Sequence, residues 1–448
     1  MSTALIILAA GKGTRMQSDL PKVLHPIAGA PLLVHAMSSG AELSPERTVV
    51  VAGHGAELVD AAAKGWNEEI DVVVQTEQLG TAHAVAQARA ALTDFEGTAF
   101  VLYGDTPFIS GETLEKMAAH RESTDVVVLG FEAADPGRYG RLITQGDQLE
   151  KIVEFKDASA EERAVTLCNS GVVAADAALL FDLINSVGND NAAGEYYLTD
   201  IIGIARSRGL TASVVRCDEA ETLGINSRAE LAAAEAAFQS RARATAIEEG
   251  VVMQAPETVC FAFDTVVGRD AVVEPYVVFA PGVTVESGAT IRAFSHLEGC
   301  HVSQGAVVGP YARLRPGAEL QEKTKVGNFV EVKNAVLAEG AKVNHLSYIG
   351  DAEIGARSNV GAGTITCNYD GVFKHKTVVG QDAFIGSNTM LVAPVTVGDN
   401  AMTATGSVIT RDVPPGDMAV ARVKQDNKPN FAVRFFEKLR ARKAAQKG

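Results

Sequence analysis

The stretch VSQGAVVGPYARLRPGAELQEKTKVGNFVEV, residues 302–332, carries an aliphatic side chain at every sixth position. These positions are Val302, Val308, Leu314, Leu320, Val326 and Val332. An α-helix has a period of about 3.6 residues and a strand a period of about two, so neither gives this step. The repeat predicts a parallel β-helix, in which each side of a triangular coil turns one aliphatic residue inward.

The six-residue step continues on both sides of this stretch. The further members are Val267, Val273, Phe279, Val285, Ile291, Leu297, Ile354, Val360, Val379, Ile385, Leu391, Val397, Thr403 and Ile409. The series slips between Leu297 and Val302, and it is interrupted from Thr366 to Val378. We therefore predict a β-helix over residues 251–422, with a loop leaving the coil at the interruption.

The first half of the chain has a different pattern. Short aliphatic runs predict buried strands, and helical patterns lie between them. The expected strands include Thr48–Ala52, Asp71–Gln75, Ala99–Tyr103 and Asp125–Phe131, and the expected helices include Thr81–Leu92 and Gly111–Arg121. This alternation predicts a doubly wound, Rossmann-like α/β domain over residues 1–226 with a mainly parallel sheet.

Two further segments complete the organisation. Residues 227–250 contain no proline and no glycine before Gly250, which predicts a linker helix with Ser227 and Glu230 as its capping box. The basic segment 423–448 is expected to be a solvated tail, and a frayed helix from Val433 onward is the alternative.

Composition excludes several classes of protein. The net charge of -15 over 448 residues argues against nucleic-acid binding. The five cysteines show no CxxC spacing, which favours free thiols and a cytoplasmic location. The run Leu5–Ala10 has no basic residues before it and leads directly into Gly11, so a first strand is expected rather than a signal peptide. No run is long enough for membrane insertion.

A glycine-rich loop follows this first strand. The stretch LAAGKGTRM, residues 8–16, is followed by Pro21 and Lys22. We expect a strand, a phosphate-binding turn and the start of a helix, with Arg15 and Lys22 as cations beside a leaving pyrophosphate. A P-loop is excluded because no Gly-Lys-Ser/Thr closes the motif, and a dinucleotide fingerprint because Met16 stands at its third glycine. A simple glycine turn is the alternative.

The loop resembles the G-x-G-T-R-M…P-K signature of the sugar-1-phosphate nucleotidyltransferases. Further matches follow in order: Gln75, Gln78–Thr81, Tyr103–Asp105, Tyr139–Arg141, Glu154, Asn169 and Gly224–Asn226. Together with the β-helix, the chain resembles the bacterial family of bifunctional UDP-N-acetylglucosamine pyrophosphorylases and glucosamine-1-phosphate N-acetyltransferases. This resemblance implies a left-handed coil, a homotrimer, Mg²⁺, and cytosolic synthesis of a cell-wall precursor from acetyl-CoA and UTP.

The resemblance also implies site residues in the first domain. Nucleotide and sugar contacts fall on Leu8, Ala9, Ala10, Gly11, Lys22, Gln75, Gly80, Thr81, Tyr103, Gly104, Asp105, Gly140, Glu154, Asn169 and Asn226. Asp105 and Asn226 match the metal ligands, and oxygen ligands suit Mg²⁺. N-acetylglucosamine-1-phosphate would then attack the α-phosphorus of UTP, with positioning and charge neutralisation as the sources of catalysis. Buried polar residues that make only hydrogen bonds are the alternative for Asp105 and Asn226.

The acetyltransferase residues lie in the later coils. The general base falls on His345, and the contacts with glucosamine-1-phosphate fall on Arg315, Lys333, Tyr348 and Asn359. The acetyl-CoA contacts fall on Ala362, Asn368, Tyr369, Ser387, Thr405 and Arg422. Thr405 departs from the family, which often has Ala there, so only a main-chain contact is expected.

Histidine suits the base because it takes up protons near neutral pH, while only a neutral amine can attack a thioester. A structural histidine at a bend is the alternative for His345. No cysteine stands beside an obvious base, so we expect direct acetyl transfer.

Two rival functions remain. A nucleotidyltransferase whose β-helix only oligomerises would have one activity. A catalytically dead regulatory relative should lack key polar residues, yet Arg15, Lys22, Asp105 and Asn226 are all present.

Overall fold

The computed structural model describes residues 2–146, 148–191 and 193–446. The chain divides into two compact units. The α/β unit contains the described residues up to Ala242 together with Phe261–Phe263. The β-helix unit contains Arg243–Cys260 and the described residues from Asp264 onward.

A mixed sheet forms the centre of the α/β unit. In the described residues its strands are β1 (Thr3–Ala9), β2 (Arg47–Ala52), β3 (Asp71–Val74), β4 (Thr98–Tyr103), β5 (Val126–Glu132), β6 (Arg141–Gln145), β7 (Gln148–Val153), β8 (Leu167–Asp176) and β9 (Ala212–Cys217). Their spatial order is β3-β2-β1-β4-β8-β5-β9-β7-β6. Strands β3, β2, β1 and β4 are parallel, whereas β8 runs antiparallel to both of its neighbours β4 and β5. The expected strands are therefore present within one residue of their bounds.

Helices cover both faces of this sheet. They are α1 (Leu32–Ala41), α2 (Ala56–Trp66), α3 (Thr81–Ala86), α4 (Gly111–Arg121), α5 (Ala160–Arg163), α6 (Ala177–Ile184) and α7 (Asp200–Ser207). The two core layers take alternate residues of β1: Ala4, Ile6 and Leu8 pack on one side, and Leu5, Ile7 and Ala9 on the other. The predicted helix over residues 81–92 begins as α3 and ends as a 3₁₀ helix, Gln87–Leu92.

The glycine-rich loop differs from the expectation. No α-helix begins there: the loop leads into a single 3₁₀ turn, Thr14–Met16, and a second one spans Lys22–Leu24. The left-handed residues Gly13 and Gln17, with φ of 57° and 48°, stand on either side of the first turn and end it. The prediction that a helix begins after the phosphate-binding turn was therefore wrong, and a single 3₁₀ turn has no long stack of aligned peptides to attract a phosphate.

The β-helix unit has three faces of short parallel strands. Face 1 consists of Val252–Met253, Val272–Val273, Thr290–Ile291, Val307–Val308, Lys325–Asn328, Lys342–His345, Asn359–Val360, Phe384–Ile385, Met402–Thr403 and Met418–Ala419. Face 2 consists of Val278–Phe279, His296–Leu297, Arg313–Leu314, Ile365–Cys367, Met390–Val392 and Val408–Ile409. Face 3 consists of Val266–Val267, Thr284–Val285, Cys300–Val302, Ala318–Leu320, Thr377–Val379 and Val395–Val397. Two longer strands, Glu331–Leu337 and Tyr348–Ile354, belong to faces 2 and 3 together.

The six-residue series lies inside these coils. Every predicted inward residue is buried except Val267, which is partly exposed in one of the first coils. The interrupted stretch forms a loop between the strands Ile365–Cys367 and Thr377–Val379. The prediction of a left-handed β-helix with one extruded loop is therefore confirmed.

The linker and the tail are both helical. Helix α8 spans Arg228–Glu248, with the hydroxyl of Ser227 accepting a hydrogen bond from the main chain of Glu230 at 3.2 Å. Gly250 follows with φ of 93°, as a terminating glycine requires. Helix α9 spans Phe431–Ala445, so the helical alternative for the tail is correct, although its described residues are all exposed. Among the described residues, none of the helices has both the length and the apolar composition to cross a membrane.

Candidate active sites

A cavity of about 340 Å³ opens in the α/β unit where β1 and β4 end. Its lining residues are Leu8, Ala10, Gly11, Lys22, Val23, Gln75, Gln78, Gly80, Thr81, Ala84, Tyr103, Asp105 and Glu195. Most of the predicted nucleotide contacts are among them. Ala9 and Gly104 are not among the lining residues: Ala9 is buried in β1, and the amide of Gly104 donates to the carbonyl of Leu8 at 3.0 Å.

A cation lies between the two predicted metal ligands. The ammonium group of Lys22 forms an ion pair with Asp105 and donates to the amide oxygen of Asn226 at 3.0 Å. The main chain holds this group together, because the amide of Ile225 donates to the carbonyl of Asp105 at 2.9 Å. Three residues far apart in sequence thus form a site for positive charge, with oxygen donors of the kind that Mg²⁺ uses.

The segment Gln78–Thr81, which lines part of the nucleotide cavity, is hydrogen-bonded to the segment Tyr196–Leu198 of the α/β unit. The amide of Tyr196 donates to the carbonyl of Leu79 at 2.8 Å, and the hydroxyl of Thr81 accepts from the amide of Leu198 at 2.9 Å. Gly80 has φ of 117°, and a Cβ there would collide with the main chain of Tyr196. Glycine is therefore required for this close approach.

The predicted sugar contacts form one group beside this segment. The amide of Asn169 donates to the carbonyl of Gly140 at 2.9 Å, and Gly140 faces the carboxylate of Glu154. Thr199 donates to Glu154 at 3.3 Å. Burial raises the pKa of Glu154, the Thr199 hydrogen bond opposes this, and Asp157 and Asp200 raise it further. Arg15, in contrast, is exposed and lies outside the residues that line the cavity.

The acetyltransferase residues occupy two faces of the β-helix. Lys333 and Tyr348 lie on face 2, and Arg315 follows the face 2 strand Arg313–Leu314. His345 and Asn359 lie on face 1. Within one chain, the predicted base and the predicted phosphate contacts therefore lie on different faces, on either side of the edge between faces 1 and 2.

A second cation accompanies Lys333. The Lys333 ammonium lies 3.7 Å from Asp351, and the nearby Lys333 side chain lowers the pKa of Lys374. Burial raises the pKa of Asp351, but hydrogen bonds from Asn334 and Asn368 with the nearby lysines outweigh it and leave the pKa lowered. Two adjacent ammonium groups of this kind fit a phosphate.

His345 belongs to a regular column along the edge between faces 1 and 2. In each successive coil, one residue stands immediately before a residue with positive φ at this edge. These residues are Asn328, His345, Ala362, Ser387 and Thr405. Main-chain hydrogen bonds of 2.7–3.2 Å connect the column: each carbonyl from Asn328 to Ser387 accepts from the positive-φ residue of the next coil. The structure thus brings the predicted base and three predicted acetyl-CoA contacts into one line.

The other predicted acetyl-CoA contacts lie apart from this column. Asn368 and Tyr369 begin the extruded loop, where Asn368 is bound to Asp351 and Tyr369 is exposed. Arg422 is exposed beyond the last coil.

Sequence reasoning missed several residues of these sites. Glu195 lines the nucleotide cavity and Thr199 contacts Glu154, and Gln78, which was only a motif match, also lines the cavity. Lys374 lies in the extruded loop only six residues from Asn368, and Asn328 precedes His345 by 17 residues, which is one coil. The coil period could therefore have identified Asn328, whereas nothing in the sequence indicates the fold of the loop that places Lys374.

Comparison with known proteins also divides the chain into a nucleotidyltransferase domain and a hexapeptide-repeat domain. Residues 5–170 match the MobA-like NTP transferase domain, and residues 264–299 and 376–411 match the bacterial transferase hexapeptide family. The bifunctional protein GlmU of Ruegeria sp. is 69% identical over 100% of this chain and 99% of its own. That of Ruegeria pomeroyi is 70% identical over 100% and 99%, and that of Paracoccus denitrificans 64% identical over 98% and 98%. A crystal structure of UDP-glucose pyrophosphorylase with UDP-glucose is also similar, at 19% identity over 54% of this chain and 100% of that one, with a TM-score of 0.45.

The fold and the two sites define a transferase in which a nucleotidyltransferase domain is joined to a hexapeptide β-helix. With full-length relatives at this identity, the chain belongs to the GlmU family of bifunctional proteins. The resemblance seen in the sequence is therefore confirmed: the chain is a bifunctional acetyltransferase and uridylyltransferase of UDP-N-acetylglucosamine synthesis.

Proposed function

We propose that the β-helix unit acetylates glucosamine-1-phosphate with acetyl-CoA at His345, and that the α/β unit then transfers UMP from UTP to the product at Asp105. The observation that carries this proposal is the His345 column, because a long thioester substrate can extend along Ala362, Ser387 and Thr405 and place its carbonyl beside the imidazole. The proposed units are residues 1–226 for uridylyl transfer, 227–250 as the linker and 251–422 for acetyl transfer.

Uridylyl transfer depends on charge neutralisation. Asp105 and Asn226 would hold Mg²⁺, since their oxygens already surround the Lys22 cation and one or two protein ligands are typical for this ion. Bound Mg²⁺ supplies neutralisation of the triphosphate. Lys22 neutralises the phosphates, Arg15 approaches the leaving pyrophosphate from its exposed turn, and Glu154 with Asn169 and Gly140 orients the sugar for in-line attack.

Acetyl transfer depends on a neutral amine. The amine nitrogen of glucosamine-1-phosphate bonds to the thioester carbonyl carbon and gives its proton to His345, and the C–S bond then breaks. The coenzyme A thiolate takes a proton back from the imidazolium, so the histidine is regenerated. Arg315, Lys333 and Tyr348 hold the sugar phosphate, and the Lys374 ammonium supplies a further positive charge there.

A second copy of the chain is the proposed partner, in a homotrimer. Four exposed aromatic rings, Tyr276, Phe294, Tyr311 and Phe329, stack along the edge between faces 1 and 2 with centroids 4.9–5.3 Å apart. All four adopt positive φ, as Leu346 and Asn388 do at the same edge in later coils, so the coil sets their conformation and their exposure and stacking carry the argument. A neighbouring subunit packed against this edge would bring the phosphate contacts on its own face 2 close to His345 on face 1 of the first subunit.

Measurement of mass tests the trimer. Light scattering should give roughly three times the 47.0 kDa chain mass. Tyr311→Asp with Phe329→Asp should yield smaller species without acetyl transfer, whereas Val266→Asp, exposed on face 3, should not. A wild-type monomer that acetylates at the full rate would exclude the trimer.

The location proposed is the cytosol. In the described residues all five cysteines are free thiols, and burial raises the pKa of Cys217 and Cys300 to about 12. Thiols that stay protonated in this way suit a reducing compartment.

Product analysis tests the whole scheme. The purified chain is incubated with glucosamine-1-phosphate, acetyl-CoA and UTP, with Mg²⁺ or with EDTA, and every product is identified by mass spectrometry. We expect UDP-N-acetylglucosamine with Mg²⁺ and N-acetylglucosamine-1-phosphate alone with EDTA. UDP-glucosamine as the main product would reverse the order of the steps, and uridylyl transfer in EDTA would exclude the metal role of Asp105.

A further inference from the structure

The imidazole of His345 has a specific partner in the coil before it. Asn328 and His345 are directly paired on neighbouring parallel strands of face 1. The amide oxygen of Asn328 lies 2.7 Å from Nδ1 of His345. A carbonyl oxygen can only accept a hydrogen bond, so this contact requires the proton on Nδ1.

We propose that Asn328 is the positioning residue of the acetyltransferase: its amide oxygen holds the proton of His345 on Nδ1 and leaves the lone pair of Nε2 for the amine of glucosamine-1-phosphate. This inference rests on the proposed role of His345 as the general base. Asn328 touches neither substrate; it acts by fixing which nitrogen is the base and where that nitrogen points.

The step that Asn328 prepares is a single proton transfer. As the amine nitrogen bonds to the thioester carbon, the amine proton moves to Nε2 and the imidazole becomes a cation with both nitrogens protonated. The other proton stays bonded to Nδ1 throughout and is donated to the Asn328 amide oxygen. When the C–S bond breaks, the proton on Nε2 passes to the thiolate, and the original tautomer is restored.

An amide suits this position better than a carboxylate. Asn328, Asn344 and His345 line a cavity of the β-helix unit. The charged groups that line it are the cations Arg292 and Lys325, and Lys342 lies at the start of the His345 strand. No carboxylate is among the described residues lining this cavity. A neutral oxygen orients the ring and stabilises the imidazolium less than a carboxylate would. A carboxylate at the same place would keep the ring protonated to higher pH.

Three variants test the proposal: Asn328→Asp, Asn328→Ala and the control Asn344→Asp, which adds a carboxylate to the same cavity without the contact to Nδ1. Acetyl transfer is measured as kcat/KM against pH, and thermal unfolding of the full chain followed by circular dichroism checks that each variant is folded. For Asn328→Asp we expect the acidic limb to move to higher pH by about one unit. For Asn328→Ala we expect acetyl transfer to fall about tenfold, the factor for one typical hydrogen bond. Asn344→Asp should move the limb much less.

Nitrogen NMR of the His345 side chain gives a readout independent of turnover. The wild-type ring should show the Nδ1–H tautomer, and Asn328→Ala should show a mixture. A wild-type ring with the proton on Nε2 would overturn the proposal, and so would equal shifts of the acidic limb for Asn328→Asp and Asn344→Asp. Full acetyl transfer by His345→Gln would instead refute the base assignment on which the proposal rests, so the two failures are distinguishable.

Discussion

The two units build their sites in different ways. In the α/β unit, Lys22 meets Asp105 and Asn226 across 83 and 204 residues of sequence, because loops from separate strands converge at one edge of the sheet. In the β-helix unit, His345 meets Asn328 across 17 residues, because one coil stacks on the next. The first site depends on the whole topology and the second on a local repeat.

This difference has an energetic consequence. A repeat architecture gains its stability from contacts between neighbouring coils, so a change in one coil acts mainly on the adjacent ones. The loops of the α/β site are each supported by the same sheet, so they are expected to respond together. Variants in each unit should therefore separate the two activities, and those below are ordered from the largest expected effect to the smallest.

Asp105→Ala should produce the largest effect. It removes a proposed metal ligand and leaves the Lys22 ammonium without its carboxylate, so uridylyl transfer should fall by roughly a thousandfold or more, the scale for losing a preorganised charge. Acetyl transfer, measured as release of coenzyme A, should stay within about twofold of wild type. The partly exposed Asp60 of helix α2, which pairs with Lys64 at 2.7 Å, provides the control, Asp60→Ala. Equal loss of both activities in a folded protein would contradict the independence of the two units.

His345→Ala tests the β-helix unit in the same way. Loss of a general base should lower acetyl transfer by roughly a hundredfold to ten-thousandfold, and raising the pH should restore part of the rate because more of the substrate amine is already neutral. Uridylyl transfer should be unchanged. His301→Ala removes a histidine that pairs with Glu286 and Glu319 on face 3 and serves as the control. A normal rate for His345→Ala would make His345 a structural residue.

The share of the structure that could be predicted from the sequence also differs between the two units. Almost every residue that the six-residue step assigned to the inside of the β-helix is buried, because one periodicity fixes which side chains face the core. The buried Leu337, Val343 and Ile349 fell outside the series. In the α/β unit the strands were predictable from their aliphatic runs, but the turn after β1 was not, since Gly13 and Gln17 adopt left-handed conformations that end it after one turn. The antiparallel insertion of β8 between β4 and β5 also left no mark in the local pattern.

The candidate sites show the same limit. Motif resemblance supplied Lys22, Asp105 and Asn226 separately, but their contact around one cation depends on long-range packing. The proximity of Lys374 to Lys333 depends on the path of an irregular loop, which no period describes. Residues that stack from one coil to the next were predictable from the sequence, whereas residues brought together by irregular loops were not.

Lys22→Met sharpens the account of the α/β site. The Lys22 ammonium now satisfies both proposed metal ligands, so Mn²⁺ must displace it before binding them. Without nucleotide, the variant should bind Mn²⁺ about tenfold more tightly, since one charge-assisted hydrogen bond no longer competes. Titration followed by electron paramagnetic resonance measures this, with the exposed loop variant Lys12→Met as the control. Weaker Mn²⁺ binding by Lys22→Met would show that the ammonium assists the metal site instead.

Glu154→Gln concerns pH at the sugar end of the same unit. Because burial raises the pKa of Glu154, its carboxylate takes up a proton at a higher pH than an exposed carboxylate would. The protonated form loses an acceptor for sugar hydroxyls. The KM for N-acetylglucosamine-1-phosphate should therefore rise a few-fold more in wild type than in Glu154→Gln between about pH 8 and about pH 5.5. The substrate phosphate titrates in the same way in assays of the wild type and of the variant. The ratio of their two KM changes therefore reports on Glu154 alone. An unchanged ratio would exclude its ionised form from sugar binding.

Thr405→Ala should have the smallest effect, and it tests whether the His345 column acts through its main chain. Thr405 is exposed, and its position is fixed by the coil beneath it, where Gly386 leaves no room for a Cβ against the amide of Thr405. If acetyl-CoA contacts this residue through the main chain, removal of the hydroxyl and methyl groups should leave the KM for acetyl-CoA within about twofold. Gly386→Ala is the matched perturbation, because it must displace the Thr405 main chain and should raise that KM more. A large rise in KM for Thr405→Ala alone would instead assign the contact to the side chain, and the regular stacking of the coil would then not be enough to define the coenzyme site.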